Sequence, residues 1–74
     1  IVEYELKVRN IDYKIFETGS LVAIKSENIK NIVGKMELYN LKFVRADFER
    51  KYVIIDFINI PKYEIGKYFD KILK

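Results

Sequence analysis

The fold depends on residues 26–40, whose sequence is SENIKNIVGKMELYN. Four apolar residues in it have the i, i+3, i+4, i+7 spacing of one helix face: Ile29, Ile32, Val33 and Met36. Ser26 is a suitable N-cap for such a helix. Gly34, the β-branched residues and three asparagines favour instead two short strands joined by a turn near Gly34. Periodicity slightly favours the helix, and both interpretations stay open at this point.

The C-terminal third of the chain contains a predicted strand followed by a helix. The stretch Tyr52–Ile60 is apolar on both faces, so we expect it to be the most buried strand of the domain. Pro61 ends the strand and suits the first turn of a helix. Five apolar residues then follow helical spacing: Ile65, Tyr68, Phe69, Ile72 and Leu73. The sequence therefore predicts an amphipathic helix over about residues 61–73.

The remaining segments have the period of β-strands. Near the N-terminus, apolar residues alternate with charged ones: Val2, Tyr4, Leu6 and Val8. Thr18-Gly19-Ser20 predicts a hairpin that returns through Leu21–Ile24, because glycine adopts positive φ readily. Alternation over 39–48, with a one-residue slip, predicts a strand with a β-bulge, and Glu49-Arg50-Lys51 predicts a second hairpin tip. We thus expect strands within residues 2–60, in a single domain of 74 residues.

Several apolar segments follow one another in an order that is typical of one protein family. Tyr4–Leu6 and Ile11–Ile15 precede a phrase close to I-x-x-x-x-I-x-x-I, in which the apolar places are held by Ile24, Ile29 and Ile32. The ending has Ile58–Pro61 followed by Ile65, Phe69 and Leu73. This order resembles bacterial pleckstrin-homology-like domains. The resemblance implies a mainly β fold: a small antiparallel, partly open β-barrel or roll of six to seven strands, plugged by one C-terminal helix, with residues 26–40 as strands.

Two other folds stay open. If residues 26–40 are helical, the hairpin followed by a helix resembles half of a TATA-binding-protein-like α/β domain. The third possibility is an SH3-like barrel with a C-terminal helix.

The residue types argue against catalysis. The chain has no cysteine and no histidine, which excludes disulfides, thiolate chemistry and Cys/His zinc sites. The remaining nucleophile candidates are Ser20, Ser26, Thr18 or a carboxylate activated by a lysine. Ser20 lies in a hairpin turn and Ser26 at an element boundary, where serine has structural roles. Asp47 and Glu49 lack the spacing of a calcium loop, and we interpret Asp56 as a residue at the sheet margin. We predict no enzymatic activity, no cofactor and no metal site.

Two non-catalytic functional classes are compatible with this sequence. We expect a non-catalytic interaction module for protein–protein contacts or oligomerisation, a use that the family resemblance also implies. The alternative is a small basic nucleic-acid-binding protein, in which phosphates are contacted by Lys42, Arg45, Arg50 and Lys51 while neighbouring aromatic residues stack on bases. The net charge of +3 permits this alternative without requiring it.

The cellular setting is only loosely constrained. No apolar run has the length that a membrane span needs. The chain begins at Ile1 rather than Met, which is compatible with an excerpt from a larger or membrane-tethered protein. We expect a cytoplasmic domain, either free or as the soluble part of a membrane-anchored protein.

Overall fold

The computed structural model describes residues 1–17 and 19–74. In chain order, the elements are α1 (Val2–Val8), β1 (Asp12–Ile15), β2 (Leu21–Lys25), α2 (Ile29–Leu38), β3 (Arg45–Asp47), β4 (Tyr52–Asp56) and α3 (Ile65–Leu73). A 3₁₀ turn, Lys62–Glu64, leads into α3. All strand pairs are antiparallel, and the strand order is β1-β2-β4-β3.

The predicted barrel of six to seven strands is wrong. The described residues form an open sheet of four strands with three helices, which is a mixed α+β domain. The helices pack on one face of the sheet, where Val22 and Ile24 of β2 and Val53 and Ile55 of β4 are fully buried. The predicted C-terminal helix is confirmed as α3, but it covers this face rather than plugging a barrel.

Residues 29–38 form α2, so the strands implied by the family resemblance are wrong here and the helical alternative is correct. All four periodic side chains are buried in the core. Burying each contributes about 1.5–3 kcal/mol, whereas Gly34 costs about 1 kcal/mol of helix propensity, so burial decides the structure. Ser26 is not the N-cap. Its hydroxyl accepts a hydrogen bond from the Asn28 amide (3.1 Å), and Asn28 precedes the helix.

The N-terminal segment forms α1 and not the predicted strand. Of its residues only Leu6 is fully buried, and the helix packs against α3. Acidic residues lie in its first turn and Lys7 in its last, which complements the helix dipole. Glu3 and Lys7 also form an i, i+4 ion pair of 3.7 Å. The alternation of apolar and charged residues was misleading because the helix has one buried position rather than a buried strand face.

Both α1 and α2 end in the same way, on an asparagine with positive φ. Asn10 has φ 58° and Asn40 has φ 57°. After α2, the Leu41 amide donates to the Met36 carbonyl (2.7 Å) and the Asn40 amide to Glu37 (3.1 Å), which is a Schellman motif. This motif ends the helix and shortens the strand predicted over 39–48 to Arg45–Asp47.

Both predicted hairpins are present. Gly19 has φ +78° between β1 and β2, while Thr18 of that turn lies outside the described residues. The second hairpin joins β3 to β4, and its tip holds Lys51 at φ 62°.

The strand β4 is shorter than predicted, and its burial differs. It ends at Asp56, which is exposed and whose carboxylate accepts a hydrogen bond from the Ile58 amide (3.0 Å). The interpretation of Asp56 as a margin residue is confirmed. The prediction that this strand is buried on both faces is wrong, because Tyr52 and Ile54 face the uncovered side of the sheet and are half-buried. None of the described helices has the length and apolar character needed to cross a membrane.

Candidate docking groove

A groove of about 510 Å³ opens at the end of the sheet where β4 finishes. Its walls are residues 40–44, which follow α2, residues 56 and 58–61 at the end of β4, and one side of α3. We call it the α3 groove. The 3₁₀ turn and α3 line it with side chains at i, i+3, i+4 and i+7: Glu64, Lys67, Tyr68 and Lys71.

Local structure explains why these walls stand apart. The left-handed Asn40 ends α2 and redirects the chain along one side of the groove. On the other side, Asp56 ends β4 through its bond to the Ile58 amide. One segment thus enters the sheet at β3 and the other leaves it after β4, and α3 forms the third wall.

Exposed apolar side chains gather at this groove. Val44 is 59% exposed and Ile58 is 71% exposed, and both line it. Two more large apolar side chains, Tyr39 and Tyr63, are exposed directly next to lining residues in sequence, and the exposed Leu38 precedes Tyr39. A monomer gains nothing from exposing such side chains together, and clustered exposure of this kind marks interaction sites.

The groove is also basic. Lys42, Lys67 and Lys71 line it, and none of them forms an ion pair with a described residue, although the Lys71 ammonium lies 5.7 Å from the centre of the Tyr39 ring. Segments 29–38 and 62–74 together hold six lysines and three acidic residues, while the rest of the chain holds eight basic and eight acidic residues. The net charge of +3 therefore resides on these two segments, and two of their six lysines, Lys67 and Lys71, line the groove.

Tyr68 is the unusual member of the groove wall. Its side chain is 7% exposed, and its ring packs edge-on against Phe57 (5.4 Å) and Phe69 (5.7 Å). The hydroxyl is buried and has no hydrogen-bond partner among the described residues. Burial raises the pKa of Tyr68 to about 12, so the hydroxyl stays protonated at neutral pH.

A second polar cluster joins α1 to α3 and is structural. Arg9 donates hydrogen bonds to a Glu5 carboxylate oxygen (2.6 Å), an Asp70 carboxylate oxygen (2.9 Å) and the Gly66 carbonyl (3.1 Å). The hydrogen bond from Arg9 holds the pKa of the Asp70 carboxyl below its usual value. Because every member has a partner within the fold, this cluster offers no free binding group.

The structure separates the four basic residues predicted to bind nucleic acid. Lys42 lines the α3 groove, whereas Arg45 lies on β3, opposite Ile54, on the uncovered sheet face. Arg50 and Lys51 lie at the hairpin tip, where Lys51 forms an ion pair with Glu27. The four residues therefore do not form one surface.

The uncovered sheet face has balanced charge. Strand register places three basic and three acidic residues on it: Lys14, Lys25, Arg45, Asp12, Asp47 and Asp56. Phe16 and Tyr52 supply aromatic surface between them. With no net charge, this face offers no general attraction to a polyanion.

The sequence missed the groove itself. Tyr68 was predicted only as part of the apolar face of the C-terminal helix, and no binding role was predicted for Lys67 or Lys71. The one available signal was a tyrosine at a core position of α3, because a buried tyrosine hydroxyl normally needs a partner. The described residues contain no cluster of three acidic side chains that could hold a metal ion.

Comparison of the chain with protein-family models, with curated proteins and with solved structures finds no match. The resemblances to pleckstrin-homology-like and TATA-binding-protein-like domains therefore stay predictions at the level of family.

Proposed function

We propose that this domain is a non-catalytic interaction module that docks a segment of another protein in the α3 groove. The observation that carries the proposal is the exposure of Val44 and Ile58, which both line one concavity. Binding would remove both side chains from water, at about 25 cal/mol for each Å² of apolar area buried.

The charge of the groove defines the partner. It is lined by three lysines that form no ion pair with any described residue, against Glu64 and an Asp56 carboxylate that already accepts a hydrogen bond. A complementary segment carries large apolar side chains together with acidic ones. The concave shape suits a peptide segment better than a flat lipid surface. A groove of this size corresponds to a small interface, for which we expect affinity in the micromolar range.

The residue types around the groove support binding rather than catalysis. A nucleophile–base pair needs a general base close to a hydroxyl, thiol or amine. The titratable residues that line the groove are three lysines, two carboxylates and Tyr68, and no histidine or cysteine exists in the chain.

Selection from a phage library of random dodecapeptides tests the proposal. We expect enrichment of peptides with several large apolar residues. Titrating one synthetic peptide from this pool into the ¹⁵N-labelled domain should shift amide resonances of residues 40–44, 58–61 and 64–71. No enriched peptide, or shifts confined to the sheet face around Ala23 and Ile54, would contradict docking in the groove.

A pair of matched variants locates the contact. Val44 in the groove and Val8 on α1 are almost equally exposed, at 59% and 57%. Val44→Ser should weaken peptide binding about fivefold, because it removes apolar area at the contact. Val8→Ser should leave binding unchanged, and equal losses in both variants would place the contact elsewhere.

The nucleic-acid alternative has its own test. A labelled single-stranded oligonucleotide is titrated at low and at moderate salt, since phosphate binding falls steeply as salt rises. Because the four basic residues are dispersed, we expect no salt-dependent binding. Tight binding at low salt that Arg45→Ala and Arg50→Ala weaken would favour the alternative over the peptide module.

A further inference from the structure

A buried tyrosine hydroxyl without a partner borders the α3 groove. The Tyr13 hydroxyl, in contrast, donates to the Glu3 carboxylate at 2.5 Å. The Tyr68 hydroxyl is the one buried side-chain polar atom that lacks a partner within the described residues. Buried polar groups are almost always hydrogen-bonded, so an unpaired one at the wall of a groove calls for an explanation.

Two lysines line the same groove as Tyr68. Lys67 and Lys71 lie one residue before and three residues after Tyr68, and all three line the groove. Like charges at i and i+4 on a helix repel each other, and a bound anion relieves this repulsion. Of the two acidic residues on this segment, Asp70 is paired with Arg9 and Lys74, and Glu64, which also lines the groove, forms no ion pair with a described residue.

We propose that the α3 groove contains a carboxylate subsite, in which an Asp or Glu side chain of the docked segment lies between the Lys67 and Lys71 ammonium groups and accepts a hydrogen bond from the Tyr68 hydroxyl. This inference rests on the proposed function, because the carboxylate belongs to the docked segment. The hydroxyl is buried, so the guest reaches it by displacing part of the groove wall.

The chemistry of the three groups selects a carboxylate. Ammonium groups only donate hydrogen bonds, and an ionised carboxylate only accepts them. Tyr68 remains a neutral donor, since burial raises its pKa to about 12. An Asn or Gln side chain has one acceptor oxygen and one NH₂ donor group. Its NH₂ group would face the three donors of the site and leave part of the hydrogen-bonding capacity unpaired.

Charge reversal tests the subsite separately from the docking. The same random peptide library is selected against the wild-type domain and against the double variant Lys67→Glu/Lys71→Glu. Both lysines are exposed, so the fold should persist, as circular dichroism can verify. We expect Asp and Glu to be enriched among apolar peptides on the wild type, and Lys and Arg on the variant. Apolar peptides without acidic enrichment on the wild type would overturn the subsite and leave the docking proposal standing, whereas no enrichment at all would overturn both.

A double-mutant cycle tests the hydroxyl. Tyr68→Phe should weaken binding of an acidic peptide from the wild-type pool about tenfold, as expected for a hydrogen bond to a charged acceptor. Binding of the same peptide with its acidic residue replaced by Ala should be equal in the two proteins. If Tyr68→Phe weakens binding of both peptides equally, Tyr68 acts by packing and not through a hydrogen bond to the carboxylate. If it weakens binding of neither peptide, the hydroxyl is not part of the subsite.

Discussion

At the scale of single residues, Tyr68 departs from the rule that buried polar groups are paired. Its ring contributes to an aromatic cluster with Phe57 and Phe69, while its buried hydroxyl has no hydrogen-bond partner among the described residues. An unsatisfied buried donor costs about 1–3 kcal/mol. The free domain therefore carries a cost at the one position where a guest could compensate it.

This cost leads to a prediction for stability. Tyr68→Phe removes the unpaired hydroxyl and keeps the ring, so we expect the free energy of unfolding to rise by about 1 kcal/mol. Urea denaturation with an unchanged m-value measures it. The control is Tyr13→Phe, which removes a hydroxyl bonded to Glu3 and should bring no gain. A destabilised Tyr68→Phe variant would mean that the hydroxyl has a partner.

At the scale of elements, helix α2 shows burial prevailing over propensity. Gly34 lies in the middle of the helix on its exposed side, and a Cβ built there meets nothing within 4 Å. Gly66 lies in α3, where a Cβ would meet a Glu5 carboxylate oxygen at 3.2 Å. That carboxyl group is held by Arg9, so it cannot move away without weakening the contact between α1 and α3.

The two glycines therefore respond differently to alanine. Gly34→Ala should raise the free energy of unfolding by about 0.5–1 kcal/mol, because it improves helix propensity without a clash. Gly66→Ala should gain less than this or lose stability. Thermal and urea unfolding of both variants measure the difference, and an equal gain at the two positions would contradict the role assigned to Glu5.

The elements also show what the sequence could predict. The spacing of Ile65, Tyr68, Phe69 and Ile72 predicted α3 correctly, because this helix buries a full apolar face. The turn residues near Gly19 and Arg50 predicted both hairpins. These features depend on contacts within a few residues, which a sequence displays directly.

The errors came from segments with little burial of their own. Helix α1 buries only Leu6 fully, so its pattern could not be told from that of a strand. A signal was present at its end: Asn10 and Ile11 follow Leu6 with the same spacing as Asn40 and Leu41 follow Met36. The α3 groove could not be predicted, because three segments far apart in sequence form its walls.

At the scale of the whole molecule, the absence of histidine and cysteine shapes the response to pH. Three carboxyl groups have pKa values below their usual range. Asp70 owes this first to the hydrogen bond from Arg9, Glu3 to that from Tyr13, and Glu27 to that from Lys51. A depressed carboxyl pKa contributes stability that is present above the unfolded value and is lost as the pH falls through the folded one.

We therefore expect stability to be almost constant between about pH 5.5 and pH 8 and to fall below about pH 4. Asp70→Asn should lower the free energy of unfolding at neutral pH, because it removes the ionised partner of Arg9. It should also lose less stability on acidification than the wild type. Urea unfolding at a series of pH values measures the free energy of unfolding of both proteins. If that free energy falls equally in the two proteins below about pH 4, Asp70 has no role in acid sensitivity.

The strand order β1-β2-β4-β3 divides the chain into two similar parts. Each contains a helix and a hairpin, namely α1 with β1 and β2, and α2 with β3 and β4, and the second part continues into α3. The pairing of β2 with β4 joins the hairpins at the centre of the sheet, and the chain crosses between the two parts only at residues 26–28.

Such a division makes the covalent link at 26–28 dispensable to the native contacts. Fragments 1–27 and 28–74, mixed in solution, should reconstitute the sheet through β2 and β4, with recovery of the native ¹⁵N spectrum as the readout. By the same reasoning, two intact chains can exchange the part that contains α1, β1 and β2. The β2 strand of one molecule then pairs with the β4 strand of the other. Refolding at high concentration should therefore yield a domain-swapped dimer that separates only on unfolding.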